Sequence, residues 1–154
     1  MRRIRKTFKR PKKAWDLARI KDEKTLLNNY GLSRKRELWK AEEALRGFRR
    51  RARDLIASED EDQERVLLGK LSRFGFLSKR MDLDDVLALT VNDVLERRLQ
   101  TVIFRKGLAK SINQESQMIV HGHVSVDGRR VVFPSYLVPL EEEKRIKMSK
   151  ESGK

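Results

Sequence analysis

Seven cations stand where the chain also frees backbone N–H groups, and together they could hold a phosphate. They are Arg97, Arg98, Arg105, Lys106, Lys110, Arg129 and Arg130. Thr90-x-x-Asp93 and Ser111-x-x-Gln114 are capping-box spacings, so each opens a helix whose first N–H groups face an anion. Ser111, Gln114 and Gln117 add neutral donors, and His121 and His123 add two imidazoles. A second group is Arg49, Arg50 and Arg53, where only Asp54 is at hand to neutralise charge. A third is the N-terminal run Arg2, Arg3, Arg5, Lys6, Lys9, Arg10, Lys12 and Lys13. Phosphate is the ligand that guanidinium and ammonium groups in such numbers suit.

Catalytic chemistry finds no comparable set. Glu42 and Glu43 are adjacent and diverge on a helix, and Asp82, Asp84 and Asp85 lie in a polar linker without a base to tune them. Ser111 is accounted for as a helix cap. No Walker-type or dinucleotide glycine pattern occurs. His121 and His123 lack an acid or Cys at ligand spacing, so neither a metal nor another cofactor is expected. On an extended segment their rings should point to opposite faces.

Charge narrows the partner. The chain has 154 residues, 39% of them charged, with a formal net charge of +14. Such a surface repels itself until a polyanion neutralises it, and nucleic acid is the polyanion this pattern favours over a membrane surface. No apolar run approaches a spanning length, and the N-terminus lacks the apolar core of a signal peptide. Zero cysteines exclude disulfides and thiolate metal sites and fit the cytosol.

The elements that must carry these side chains can be read in order. Residues 1–21 form a basic arm with ten Lys or Arg and the single acid Asp16. Pro11 keeps it extended, and Phe8 and Trp15 can stack on bases or dock on the body. A helical body is expected over 22–89. It begins with a short helix from Glu23 to Tyr30 stopped by Gly31, and Ser33 then caps the longest helix of the chain. Leu38, Ala41, Leu45, Phe48, Ala52, Leu55 and Ile56 form the stripe of that helix. A helix from Arg65 to Phe74 turns Leu67, Leu71 and Phe74 inward, and Gly75 ends it. Over 90–140, one helix starting at Val91 carries Leu95, Leu99, Val102 and Ile103 to a stop at Gly107. A second buries Ile112, Ser116 and Ile119. A hairpin turns at Asp127-Gly128, returns over Val131 to Phe133 and closes at Pro134. Residues 141–154 read as a polar, frayed tail. The fold class is therefore α+β and mostly helical.

Three segments carry a resemblance. Glu96-Arg-Arg-Leu-Gln-Thr, Gly107-Leu-Ala-Lys-Ser-Ile and His121-Gly-His-Val-x-Val-Asp-Gly resemble the S-four RNA-binding domain. Where that family often has Ala-Arg in the second helix, this chain has Ser116-Gln117, which adds no charge. Arg10-Pro11 and Tyr30-Gly31-Leu32-x-x-Lys35-Arg36-Glu37-x-Trp39 extend the likeness to the ribosomal protein four family of archaeal and eukaryotic type, across about Arg3 to Leu140. The N-terminal zinc knuckle of bacterial relatives is missing. The resemblance implies a non-enzymatic component of the small ribosomal subunit in the cytoplasm. It also implies direct binding to small-subunit rRNA, a part in early assembly and translational accuracy, and contact with ribosomal protein five. No membrane or small-molecule substrate is implied. Two alternatives are the RNA-binding subunit of an RNA-modifying or tRNA-handling protein, and a DNA-binding protein that reads bases with Asn113, Gln114 and Gln117.

Within the pairs Arg97/Arg98 and Arg129/Arg130, neighbouring residues cannot aim at one phosphate. One of each pair is expected to meet RNA and the other to serve packing or a local acid, Glu96 or Asp93 for the helix pair. If roughly eight phosphates are neutralised, log K should fall against log salt with a slope of about −6 to −7. A filter-binding titration checks this, and a slope near zero would contradict it.

Overall fold

The computed structural model describes residues 6–76 and 82–148. Arg2, Arg3 and Arg5 lie outside those residues, as do 149–154 of the expected tail. Eight helices and one small sheet form two hydrophobic cores within the described residues.

The first core is built around α2, Lys35–Ser58. At 1.5 Å per residue its 24 residues reach about 36 Å, long enough to serve as the spine of the body. Leu38, Ala41, Leu45, Ala52 and Leu55 are buried, while Phe48 is half-buried and Ile56 falls outside the stripe as an exposed side chain. α3, Glu61–Phe74, α4, Leu83–Ala88, and α5, Val91–Glu96, pack into the same core. Gly75 ends α3 with a left-handed φ of 73°. Two helix starts differ from expectation. The cap position of α2 is Arg34 rather than Ser33, in extended conformation and without a side-chain cap bond. α3 begins at Glu61, because Asp60 accepts from the Gln63 N–H at 3.1 Å and so caps the helix upstream of Arg65.

The arm is shorter than expected. α1 runs over Leu17–Asn29, capped by Asp16, so residues 17–21 are helical. The cause is Glu23, which is buried on α1 and pairs one turn back with Arg19. Burial pushes its carboxyl up, but hydrogen bonds from Trp39, Lys35 and Arg19 outweigh that and hold it below the usual value.

The helix expected to run on from Val91 is two helices. Its N-terminal box is present, with Asp93 accepting from the Thr90 N–H at 2.7 Å. Then α5 stops at Glu96 and α6 spans Leu99–Arg105. Arg98 lies extended between them and bridges Leu137, the Leu99 N–H donates to the Tyr136 carbonyl at 2.7 Å, and the Val138 N–H donates to the Arg97 carbonyl at 2.9 Å. The returning strand-like segment thus satisfies the backbone that the break exposes. Val94 and Leu95 stay in the first core, whereas Leu99, Val102 and Ile103 open the second.

That second core lies between α6, α7 (Ile112–Val120) and a three-stranded antiparallel sheet. Ser111 caps α7, accepting from the Gln114 N–H at 3.3 Å, and the Gln114 side chain reaches back to the Lys110 N–H. The hairpin pairs β1, Val124–Val126, with β2, Arg129–Arg130, through the positive φ of Asp127 and Gly128. Its return strand is shorter than expected: the last bond runs from the Val131 N–H to the Val124 carbonyl, well before Pro134. The expected tail is partly sheet. Leu140–Glu143 forms the short α8, and Ile146–Met148 forms β3, which pairs with the free edge of β1 and buries Ile146. Periodicity missed it because only one of its three side chains enters the core.

Helix α7 holds a second departure. Ser116 is half-buried, and the place taken with Ile119 on the inner face belongs to Glu115, 0% exposed, with no hydrogen-bond partner for either oxygen among the described residues. Desolvation raises its carboxyl from 4.5 to about 7. Between those values the folded state holds a proton that the unfolded chain has released, so stability falls as pH rises through the window. Glu115→Gln should remove this dependence and gain up to about 3 kcal/mol above pH 7, read from urea midpoints across pH. Ile146→Ala should cost about 2–3 kcal/mol in the same assay, whereas a frayed tail would cost nothing.

Candidate nucleic-acid interface

The expected phosphate ligands divide into those turned inward and those left to solvent. Arg97 donates to the Glu143 carboxylate and to the Val138 carbonyl, each at 2.8 Å. Arg98, with its side chain 7% exposed, donates to Glu37 at 2.5 Å. Both arginines are therefore held inside the protein, and by acids distant in sequence rather than by Glu96 or Asp93. Glu96 pairs with Arg105 at 2.8 Å instead. Lys106 bonds the Glu143 carbonyl, which ties the end of α6 to α8. In α2, Arg49 donates to the Leu89 carbonyl at 2.5 Å and braces the α4–α5 connection.

The hairpin pair separates. Arg130 donates to the His121 carbonyl at 2.7 Å, closing the C-terminus of α7, and lies directly over Gly122. A side chain at position 122 would collide with that guanidinium, and its φ of 78° also requires glycine. Arg129 is exposed and makes no ion pair or side-chain hydrogen bond among the described residues. The imidazoles of His121 and His123 do not diverge: their rings stack with centroids 6.3 Å apart, because His121 ends a helix and Gly122 turns the chain back.

The exposed cations fall on both cores. Arg50 and Arg53 line the outer face of α2, and Lys110 precedes α7 alongside exposed Gln117. In the arm, Lys6, Lys9, Arg10, Lys12 and Lys13 are all exposed. Arg10 comes to the start of α2, where it lines an open cleft with Arg34, Lys35, Arg36 and Trp39. Arg34 and Arg36 are not among the cations expected from sequence to meet RNA, because Glu37, Glu42 and Glu43 lie close enough along the helix to neutralise its first turns. In the structure Glu37 is occupied by Arg98, and Glu23 takes Lys35 at 3.1 Å, so Arg34 and Arg36 keep their charge for solvent. The signal was the run of three cations at the helix start.

The two cores are joined by close backbone approach. Gln100, buried on α6, donates to the Ile112 carbonyl at 3.0 Å and to the Gly31 carbonyl at 3.4 Å. A side chain at Gly31 would run into Ile112, and its φ of 57° is left-handed. Beside this contact, Arg98 and Glu37 border a cleft of about 460 Å³ whose apolar lining includes Ala41, Leu95 and Leu137.

Comparison with known proteins accounts for this arrangement. Residues 97–144 match the S4 domain, a span that begins at the break between the two cores. A small ribosomal subunit protein uS4 from Methanococcus aeolicus is 51% identical over 149 residues, covering 94% of this chain and 84% of the relative. The uS4 protein of Methanothermobacter thermautotrophicus is 47% identical over 148 residues, covering 94% of this chain and 86% of the relative. With identity at that level over 94% of its length, the chain belongs to the uS4 family of small ribosomal subunit proteins.

Proposed function

We propose that this protein is a structural, non-catalytic component of the small ribosomal subunit in the cytoplasm that binds rRNA directly with both of its cores. Family membership supports the ribosomal setting, and the relatives carry the names of ribosomal proteins rather than enzymes. The observation that carries the binding mode is the sorting of cations. Arg97, Arg98 and Arg49 are consumed internally, while Arg50, Arg53, Lys110 and Arg129 are exposed without protein partners among the described residues. Arg10, Arg34 and Arg36 converge beside Trp39 on the body. Exposed arginines gathered this way suit phosphates of folded RNA, which proteins read by shape and backbone. Early joining to rRNA, contact with ribosomal protein five and an influence on decoding accuracy are further parts of this reading. They follow from the resemblance rather than from any contact within the chain.

The internal and external arginines should behave differently. Arg98→Ala leaves Glu37 without its partner and the break without its anchor, so it should cost about 2–3 kcal/mol of stability. Arg129→Ala should leave the urea midpoint unchanged and weaken binding to purified small-subunit rRNA by roughly five- to ten-fold, with a shallower salt slope. Filter binding and urea unfolding of both variants check this. Wild-type protein that fails to retain the rRNA at low salt would overturn the proposal.

A further inference from the structure

Two aromatic residues interrupt the basic arm, and the structure gives them opposite fates. Phe8 packs on Trp39 with ring centroids 5.9 Å apart, which docks the arm onto the body. Trp15 is 90% exposed, and Leu17 beside it is 73% exposed. An indole left so open is uncommon, because burying it would stabilise the fold by more than almost any other side chain.

Trp15 is not on a loose segment. The guanidinium of Arg19 donates to the Lys13 carbonyl at 2.9 Å and to the Ala14 carbonyl at 3.0 Å, so the two residues before Trp15 are fixed. Asp16, directly after it, accepts from the Arg19 N–H at 3.4 Å as the cap of α1. The other arm of Arg19 pairs with buried Glu23, which also accepts from Trp39 Nε1 at 3.2 Å and meets Lys35 at 3.1 Å. One buried carboxylate therefore anchors the turn, and the turn projects a bare indole between Lys12, Lys13 and the start of a helix.

We infer that Trp15 is a stacking platform for an unpaired rRNA base, held in place by the Glu23–Arg19 relay. The flanking charge decides between occupants. Lys9, Arg10, Lys12 and Lys13, in the stretch that leads up to Trp15, are all exposed, and Asp16, which follows it, is engaged as a cap. A polyanion with an exposed π-face satisfies both features, whereas an apolar protein pocket would have to desolvate the lysines. Stacking is tolerant of base identity, so the site selects for an unpaired base rather than for a sequence. Phe8 and Trp39 take no part except to seat the arm.

This inference rests on the rRNA-binding reading above, and the experiment separates the two. The full chain and its Trp15→Phe, Trp15→Leu and Trp15→Ala variants are titrated with purified small-subunit rRNA, following filter retention and tryptophan emission. Trp15→Phe retains only Trp39 and supplies its background. Wild-type emission should be quenched by the rRNA beyond that background. Trp15→Phe should bind within a few-fold of wild type, and Trp15→Leu and Trp15→Ala should bind about ten-fold or more weakly. Their salt slopes should be unchanged, since no charge is lost. Far-UV dichroism of each variant reports whether α1 is intact. Tight binding with no loss in the Leu and Ala variants overturns the platform but leaves the rRNA reading standing. Loss in those variants without quenching in the wild type also overturns it, because the side chain then affects binding without meeting a base. Absence of wild-type binding overturns both.

Discussion

The structure depends on two residues that are not helical. Arg97 and Arg98 interrupt what would otherwise be one rod from Val91 to Arg105, and the interruption is held from three directions. Residues 136–138 satisfy the exposed backbone, Glu143 takes one guanidinium, and Glu37 at the first turn of the spine helix takes the other. Buried arginine is expensive unless paired, so this pairing is a condition of the fold and not an ornament on it. The consequence is a change of direction that lets α6 leave the first core and build the second. Gln100, reaching both Gly31 and Ile112, then fixes how closely the cores approach.

Charge is distributed by the same logic. Among the described residues several acids are engaged by particular partners: Glu23 by Arg19, Lys35 and Trp39, Glu96 by Arg105, Glu143 by Arg97, and Asp127 by Arg145. The pairs of Glu23 with Arg19 and of Glu143 with Arg97 draw a cation inward, whereas Arg105 and Arg145 stay exposed while paired. What remains outside is strongly basic, and a net charge of +14 opposes compaction until an anion is bound. The isolated protein is in this sense incomplete, with a scaffold settled internally and a surface that needs a polyanion.

Sequence made much of this legible. Helix stops at Gly75 and Gly107, the two capping signals, the stripe of α2 and the Asp127-Gly128 turn are local events, and local chemistry dictated them. The breaks in that legibility are non-local. Leu95 and Leu99 keep helical spacing across the interruption, so periodicity could not reveal that they belong to different cores. β3 is specified by an open edge of β1, which has no signature in residues 146–148. Which cations remain outward depended on partners up to 61 residues away, as Arg98 and Glu37 show. Glu115 could not have been found at all, since a carboxylate on an inner helix face contradicts the pattern by which inner faces are recognised.

The proposed function requires that rRNA be held by both cores of one molecule at once, across a fixed junction. The chain contains no cysteine, so a single introduced thiol can carry a hydroxyl-radical-generating iron chelate without background. Ala57→Cys places the probe one turn beyond Arg53 on α2, and Asn113→Cys places it beside Lys110 at the start of α7. Both positions are exposed. With each labelled full-length protein bound to small-subunit rRNA, cleavage is expected from both probes at two distinct, reproducible sets of nucleotides. Cleavage from one position alone, or diffuse cutting from either, would contradict it.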